Sequence, residues 1–180
     1  MLATLNQAKG MLGIDSDDTS QDADITIALK AASAAIEKAT NRSYGYKTYN
    51  QTIDGPGMQF LRLRNFPVHD VIHITVDNEP IPKEQFRIES ENGMLFKRSG
   101  WPCGVRNVDV EYLAGYALPG DENSPEAPKL PENYTLACIM YAQILLRNPD
   151  VSSERVGDIS VSYRDNISGL PPVVKALIEL

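Results

Sequence analysis

The chain of 180 residues is short of the features that mark several large classes of protein. No apolar run approaches the roughly 20 residues that a membrane span needs, and residues 1–10 lack the basic start and apolar stretch of a secretion signal. We therefore predict a cytosolic protein without a membrane segment. Cys103 and Cys138 show no Cys-x-x-Cys spacing, so we expect both thiols to be reduced and buried.

Basic residues are also scarce. The chain holds 17 Lys and Arg against 24 Asp and Glu, a net charge of −7. Proteins that wrap nucleic acid neutralise its phosphates with clustered basic side chains, so sequence-specific DNA binding is not expected. A surface of the same sign as DNA repels the duplex, and this property suits a conduit through which DNA passes.

Signatures of catalysis are missing as well. The two histidines, His69 and His73, are four residues apart at the strand candidate 71–76. In extended chain that spacing separates the side chains by roughly 13 Å, which argues against a shared metal. The aspartate-rich residues 15–24 depart from a calcium loop, because Ser20 and Thr26 replace its glycine and glutamate. Common zinc, serine-hydrolase and P-loop motifs do not occur. We expect no enzymatic activity, no cofactor and no metal.

Helical periodicity is strong at both ends of the chain. Over residues 22–40 apolar side chains recur at steps of three and four, which predicts a helix with one buried stripe. The stripe consists of Ile25, Leu29, Ala32, Ile36 and Ala39. A second, small stripe of Ala28, Ala31 and Ala35 would let another helix approach closely. Further helices are predicted at residues 3–12, 131–147 and 172–180.

The period changes to two between Tyr44 and Tyr116, with turn-forming residues every ten or so positions. Such short turns join antiparallel strands, because parallel strands need long crossovers. Strand candidates are residues 48–53, 60–64, 71–76, 86–88, 94–97 and 108–112. We therefore predict an α+β fold: residues 1–43 and 117–180 form a small helical bundle, and residues 44–116 form an inserted antiparallel β lobe, with strands over 48–116.

One strand candidate stands apart. Residues 154–158 are interpreted as a polar turn, and the alternation of Ile159, Val161 and Tyr163 with serines predicts a lone late strand at 159–163. A lone strand exposes unpaired N–H and C=O groups, so it must fold back onto its own subunit or pair with an edge on a neighbour. We interpret it as an assembly element.

The order and spacing of these pieces resemble those of the head–tail connector, or adaptor, proteins of tailed bacteriophages and prophages. The resemblance spans nearly the whole chain. The segments that carry it are residues 25–42, 61–68 and 108–116, the helix from Pro131, and the run Glu-Arg-Val-Gly-Asp-Ile-Ser-Val-Ser-Tyr at 154–163.

This resemblance implies a non-enzymatic virion subunit that forms a ring, twelvefold in similar assemblies, between portal and tail. Its partners would be other copies of itself, the portal protein, a tail-side completion protein, and DNA that passes through without sequence-specific binding. It would be found in the virion neck, and in the cytoplasm of the bacterial host during assembly.

Two sets of residues follow as expected contacts. The predicted subunit interface consists of Ala28, Ala31 and Ala35 on the helix and Ile159, Val161 and Tyr163 on the late strand. In similar proteins the C-terminal part reaches toward the portal, so the predicted portal contact, a set of exposed apolar side chains, consists of Val174, Leu177 and Leu180.

Two alternatives remain open from the sequence. The first is an enzyme with a site in the β lobe, which requires a deep polar pocket with at least two close acids. The second is a binding module of the host, for peptide or carbohydrate, with Trp101, Tyr112 and Tyr116 as an exposed aromatic platform.

Overall fold

The computed structural model describes residues 1–121, 126–147, 153–156, 159–162 and 170–178, and of 153–156 and 159–162 only the backbone. It divides into two compact units, Met1–Thr40 with Leu130–Leu180, and Asn41–Lys129. We call them the helical unit and the β unit. The helices are α1 (Leu5–Leu12), α2 (Asp22–Thr40), α3 (Glu132–Leu146) and α4 (Pro172–Ile178). The predicted α+β class is confirmed.

The β strands are short, apart from three. They are β1 (Lys47–Pro56), β2 (Phe60–Arg62), β3 (Val68–Val76), β4 (Glu79–Pro80), β5 (Arg87–Glu89), β6 (Met94–Phe96), β7 (Cys103–Ala114), β8 (Ser153–Val156) and β9 (Ile159–Ser162). The sheet pairs are all antiparallel.

Helix α2 buries the stripe that its periodicity predicts. Ile25, Leu29, Ala32 and Ile36 are all buried, whereas Ala39, at the last turn, is exposed. α2 packs on α3, and α3 packs on α4. The buried residues of α3 are Tyr134, Ala137, Cys138, Ile139 and Ala142. The helical unit is therefore assembled from segments far apart in the sequence.

The contact between α2 and α3 centres on two small polar side chains. Ser33 Oγ lies 3.3 Å from Cys138 Sγ, and Cys138 Sγ lies 3.7 Å from the carbonyl oxygen of Leu29. The N-terminal segment adds to this contact, because the Leu2 N–H donates to Ser33 Oγ (3.0 Å) and Thr135 Oγ1 donates to the Leu2 carbonyl (3.0 Å). Burial raises the pKa of the Cys138 thiol, which therefore stays protonated at neutral pH.

The two cysteines differ in their surroundings. Cys138 is buried as predicted, but Cys103 is exposed, so the prediction of two buried thiols is wrong for Cys103. The reason is its position at the first residue of β7, opposite Pro56 at the end of the sheet.

Lys9 organises the acidic stretch that follows α1. Its ammonium group donates to the carbonyl oxygens of Ser16 (3.1 Å) and Asp18 (2.8 Å) and forms an ion pair with Asp22 Oδ1 at 2.6 Å. The Lys9 residue is only 3% exposed. Hydrogen bonds from Ser20 lower the pKa of the Asp18 carboxyl. A lysine thus supplies the positive charge around which these residues fold.

The β unit contains a four-stranded sheet in the order β1-β7-β3-β4 and a three-stranded sheet in the order β2-β6-β5. β7 is central, and it is longer than the predicted 108–112. Its first five residues, Cys-Gly-Val-Arg-Asn, show no apolar alternation, but β7 still pairs with β1 as far as Pro56↔Cys103, across a register shift beside Gly55. A Cβ atom at position 55 would lie 2.1 Å from the Pro102 carbonyl oxygen, so the close approach of these two backbone segments requires glycine at this position.

One hydrophobic core joins the two sheets. It includes Leu61 and Leu95 from the smaller sheet and Val71, Val110 and Tyr112 from the larger. Tyr112 keeps its hydroxyl satisfied, since it accepts from the Asn65 N–H (3.2 Å) and donates to Gln51 Oε1 (3.0 Å). Burial raises the pKa of this phenol.

The late strand is not lone. β9 pairs with β8 from Val156↔Ile159 to Ser153↔Ser162, so residues 153–156, which the sequence analysis interprets mainly as a turn, form its partner strand. The sequence analysis missed β8 because Ser-Glu-Arg-Val carries no apolar alternation. The short distance to β9 was a signal for the pairing, since two residues suffice to join the strands of a hairpin. Among the described strands, this hairpin pairs with no third strand.

The ammonium of Lys9 gives a direct test of the fold. Replacing Lys9 with Met keeps the buried alkyl stem but removes three polar interactions, and we expect a loss of about 1–3 kcal/mol in the free energy of unfolding. Chemical denaturation of the purified chain measures it. The control is Lys30→Met on the exposed side of α2, where the expected change is below about 0.5 kcal/mol. Equal effects of the two variants would contradict the proposed role of Lys9.

Candidate assembly interface

The three alanines of α2 that the sequence analysis predicts at the subunit interface differ in their exposure. Ala31 is exposed and Ala35 is half-buried, but Ala28 is buried in the core of the helical unit. Ala28 cannot meet a neighbouring chain, because it lies on the arc of α2 that also carries Leu29 and Ala32. This corrects the expectation of an open stripe of three alanines, and contact by Ala31 and Ala35 stays a prediction.

The exposed side of α2 carries a large apolar residue that the sequence analysis missed. Ile27 is 66% exposed. Its exposed apolar neighbours on the same side are Ala23, Ala31 and Ala34. We call these four residues the α2 outer face. Ile27 lies off the buried stripe by about 160° around the helix, and this angular offset is the signal in the sequence that could have revealed it.

Helix α3 has more apolar surface than the described residues of its own unit cover. Leu136 and Met140 are half-buried, and Ile144 is 40% exposed. These three residues, spaced by four, form what we call the α3 outer face. The following Leu145 and Leu146 are exposed too. A helix that is apolar on nearly all sides is normally covered on all sides, so this face calls for a partner.

The predicted strand residues can be placed only in part. Ile159 and Val161 lie in β9, opposite Val156 and Glu154 of β8. Tyr163 lies outside the described residues. An isolated two-stranded hairpin is marginally stable in water, and each of its strands has one edge that no described strand covers.

The C-terminal residues differ from the expected exposed set. Val174 is 0% exposed and belongs to the core of the helical unit, Leu177 is half-buried, and Leu180 lies outside the described residues. Asn133 Nδ2 donates to the Leu177 carbonyl oxygen at 2.7 Å and fixes α4 on α3. The expectation is wrong for Val174 because a seven-residue helix is too short to stand alone and buries its apolar side.

His69 is half-buried and is held by local contacts. His69 Nε2 lies 2.8 Å from the Gly115 carbonyl oxygen, and its ring meets Tyr46 edge-on with centroids 5.1 Å apart.

In the part of the chain that the structure describes, no group of three or more His, Cys, Asp or Glu side chains could hold a metal. None of the described helices has the length and apolar character to cross a membrane.

A buried arginine also escaped the sequence analysis. The guanidinium carbon of Arg42 lies 3.4 Å from the ring centroid of Phe66 and 4.7 Å from that of Tyr44, and the group donates to the Phe66 carbonyl oxygen. Stacking on two rings stabilises the buried charge. Arg42 is therefore part of the β unit's packing and is removed from the basic groups that could meet DNA.

The alternative of an aromatic binding platform does not fit the structure. Trp101 and Tyr112 are both buried, and the Trp101 indole N–H donates to the Leu95 carbonyl oxygen at 3.0 Å. The third proposed residue, Tyr116, is half-buried. These rings serve the core of the β unit, so the predicted exposed strip is wrong.

Comparison with known proteins finds a matching family model and solved structures of similar fold. The family model for head completion protein (HCP) matches residues 1–180. A chain in the neck of the empty gene transfer agent (GTA) particle, computed with C6 symmetry, has a similar fold, with a TM-score of 0.62, 17% identity, and coverage of 99% of this chain and 88% of that chain. No curated protein matches.

Two further solved structures are similar. One is the neck of the native GTA particle computed with C12 symmetry, with a TM-score of 0.58, 14% identity, and coverage of 98% of this chain and 88% of that one. The other is the virion of the native GTA particle, with a TM-score of 0.57, 18% identity, and coverage of 85% and 83%.

Two adjacent valines of α4 differ in exposure, and substituting each of them tests which side of α4 belongs to the core. Val174 is fully buried whereas Val173 is 42% exposed. We expect Val174→Ala to lower the free energy of unfolding of the isolated chain by about 1–3 kcal/mol, through lost burial and a residual cavity. Val173→Ala should change it by less than about 0.5 kcal/mol. Thermal and urea unfolding measure both, and a neutral Val174→Ala would contradict the buried position.

Proposed function

Since the chain belongs to the head completion protein family, we propose that it is a structural subunit of the neck of a tailed phage or prophage particle. Family membership confirms the resemblance to head–tail connectors that the sequence analysis identified. In this proposal copies of the chain form a ring adaptor between portal and tail, twelvefold like the C12 neck of the GTA particle. The observation that carries the proposal is the family match over all 180 residues.

The geometry supports a subunit that is completed by neighbours. The α2 outer face and the α3 outer face leave large apolar side chains at the surface of the helical unit, and patches of this kind mark contact sites. The hairpin of β8 and β9 adds strand edges that could extend a neighbour's sheet through Ile159 and Val161. Assembly into a ring would cover these surfaces.

DNA is proposed to pass through the ring without being read. The net charge of −7 opposes tight binding to phosphates. Arg42 is stacked on aromatic rings and adds no free cation. Repulsion between like charges would keep the duplex from adhering to the wall of the passage.

The C-terminal part of the chain is the proposed contact with the portal. Leu177 and Leu180 are kept in this role, whereas the buried Val174 holds α4 in place for it. A tail-side completion protein is the proposed partner on the opposite side of the ring. The chain would act without catalysis, in the neck of the finished particle and in the host cytoplasm before it.

Deleting the gene tests the proposed function. We expect heads that are filled with DNA but lack tails, because the adaptor that links the two is missing. Negative-stain imaging of lysates counts tailed and tailless heads, and complementation with the wild-type gene is the control. Normal tailed particles from the deletion strain would contradict the proposal.

Val161 provides a test confined to the hairpin. Val161→Pro removes a backbone N–H in β9 and should weaken the hairpin's pairing, while Val161→Thr keeps both the N–H and the branched side chain. We expect the proline variant to fold, with an unchanged circular dichroism spectrum, but to be depleted from purified particles. Normal incorporation of the proline variant would show that the hairpin has no part in assembly.

A further inference from the structure

The helical unit exposes two different apolar faces on opposite sides of one helix pair. α2 meets α3 through Leu29 and Ser33, and α3 meets α2 through Cys138. At 3.6 residues per turn, Ile27, Ala31 and Ala34 lie about 140–160° around α2 from Leu29. Leu136, Met140 and Ile144 lie about 120–160° around α3 from Cys138. The α2 outer face and the α3 outer face therefore point away from each other.

We infer that the α2 outer face of one copy of this chain packs against the α3 outer face of the next copy, with the two helices antiparallel. The inference rests on the proposed ring, and it names the surfaces that close it. Each copy offers both faces, so every contact is heterologous and repeats around a ring without leaving a face uncovered, provided that the rotation per copy divides a full turn.

The spacing of side chains along the two helices agrees with this pairing. If Lys38 is placed opposite Glu132, Ala34 falls opposite Leu136, and Ala31 falls within one residue of Met140. Ile27 then falls within one residue, about 1.5 Å, of Ile144. Large side chains of α3 meet small ones of α2 along most of the contact, as close packing of two helices requires.

Charge selects the antiparallel orientation and a second copy as the occupant. Lys38 is exposed near the end of α2, and Glu132 is exposed at the start of α3. Neither takes part in an ion pair within the described part of the chain. A parallel arrangement would instead bring Glu132 beside Asp22 and Asp24 in the first turn of α2, where like charges repel.

Chemical crosslinking in assembled particles tests the contact. The variant carries Ala34→Cys and Leu136→Cys in a Cys103→Ser background, which removes the exposed native thiol. Within one copy these two positions lie on opposite sides of the helix pair, about 15 Å apart, beyond the reach of a short bismaleimide. Between neighbours they should be adjacent. We expect a ladder of covalent oligomers when treated particles are denatured and separated by size.

The controls are the two variants that carry only one of the introduced cysteines in the same background. Because the remaining Cys138 is buried, neither should form a ladder. Particles that contain the double variant but give only monomers would overturn the inference while leaving the ring adaptor intact. Absence of the wild-type chain from particle necks would instead overturn the proposed function itself. The two failures are thus distinguishable.

Charge reversal provides a second readout if the cysteine variant does not assemble. Lys38→Glu should reduce incorporation into particles at least several-fold, and Lys38→Glu combined with Glu132→Lys should restore it. Arg98→Glu, which reverses an exposed charge in the β unit, is the control. Loss of incorporation that the double reversal does not restore would contradict the pairing of Lys38 with Glu132.

Discussion

The packing of α2 on α3 is the contact on which the helical unit depends, because the entire β unit separates these two helices in the sequence. Their contact is made by small groups: Ser33 meets Cys138, and Cys138 approaches the backbone of Leu29. Leu2 is bound to both helices through Ser33 and Thr135. α4 packs on α3, and its Val174 is fully buried. Any change that separates α2 from α3 removes the scaffold on which the outer surfaces are presented.

The same contact explains why the folded chain is suited to assembly. Each of the two helices packs one side against the other, and α4 packs on a further part of α3. Ile27 on α2 and Ile144 on α3 stay exposed in the described part of a single copy. A repeated helix pair with unlike outer faces can be added to the next one without limit until the ring closes. In the proposed neck assembly, neighbouring copies cover these apolar surfaces.

Much of the fold could be predicted from periodicity. The bounds of α2 and its buried residues Ile25, Leu29, Ala32 and Ile36 follow from steps of three and four, and the antiparallel β strands follow from alternation and short turns. β8 could not, because Ser-Glu-Arg-Val lacks a pattern and gains its structure only by pairing with β9. Likewise, the burial of Ala28 and Val174 and the exposure of Ile27 depend on how the helices pack together, which the periodicity of one helix does not specify.

The measurement that tests the central claim most directly is a cryo-electron microscopy map of the assembled neck at side-chain resolution. It should show α2 of every copy lying antiparallel to α3 of the next, with Ile27 buried between copies and the helix pairs forming a continuous belt around the DNA passage. A neck in which the Ile27 side of α2 faces solvent, or in which the chain is present as isolated copies, would contradict the account.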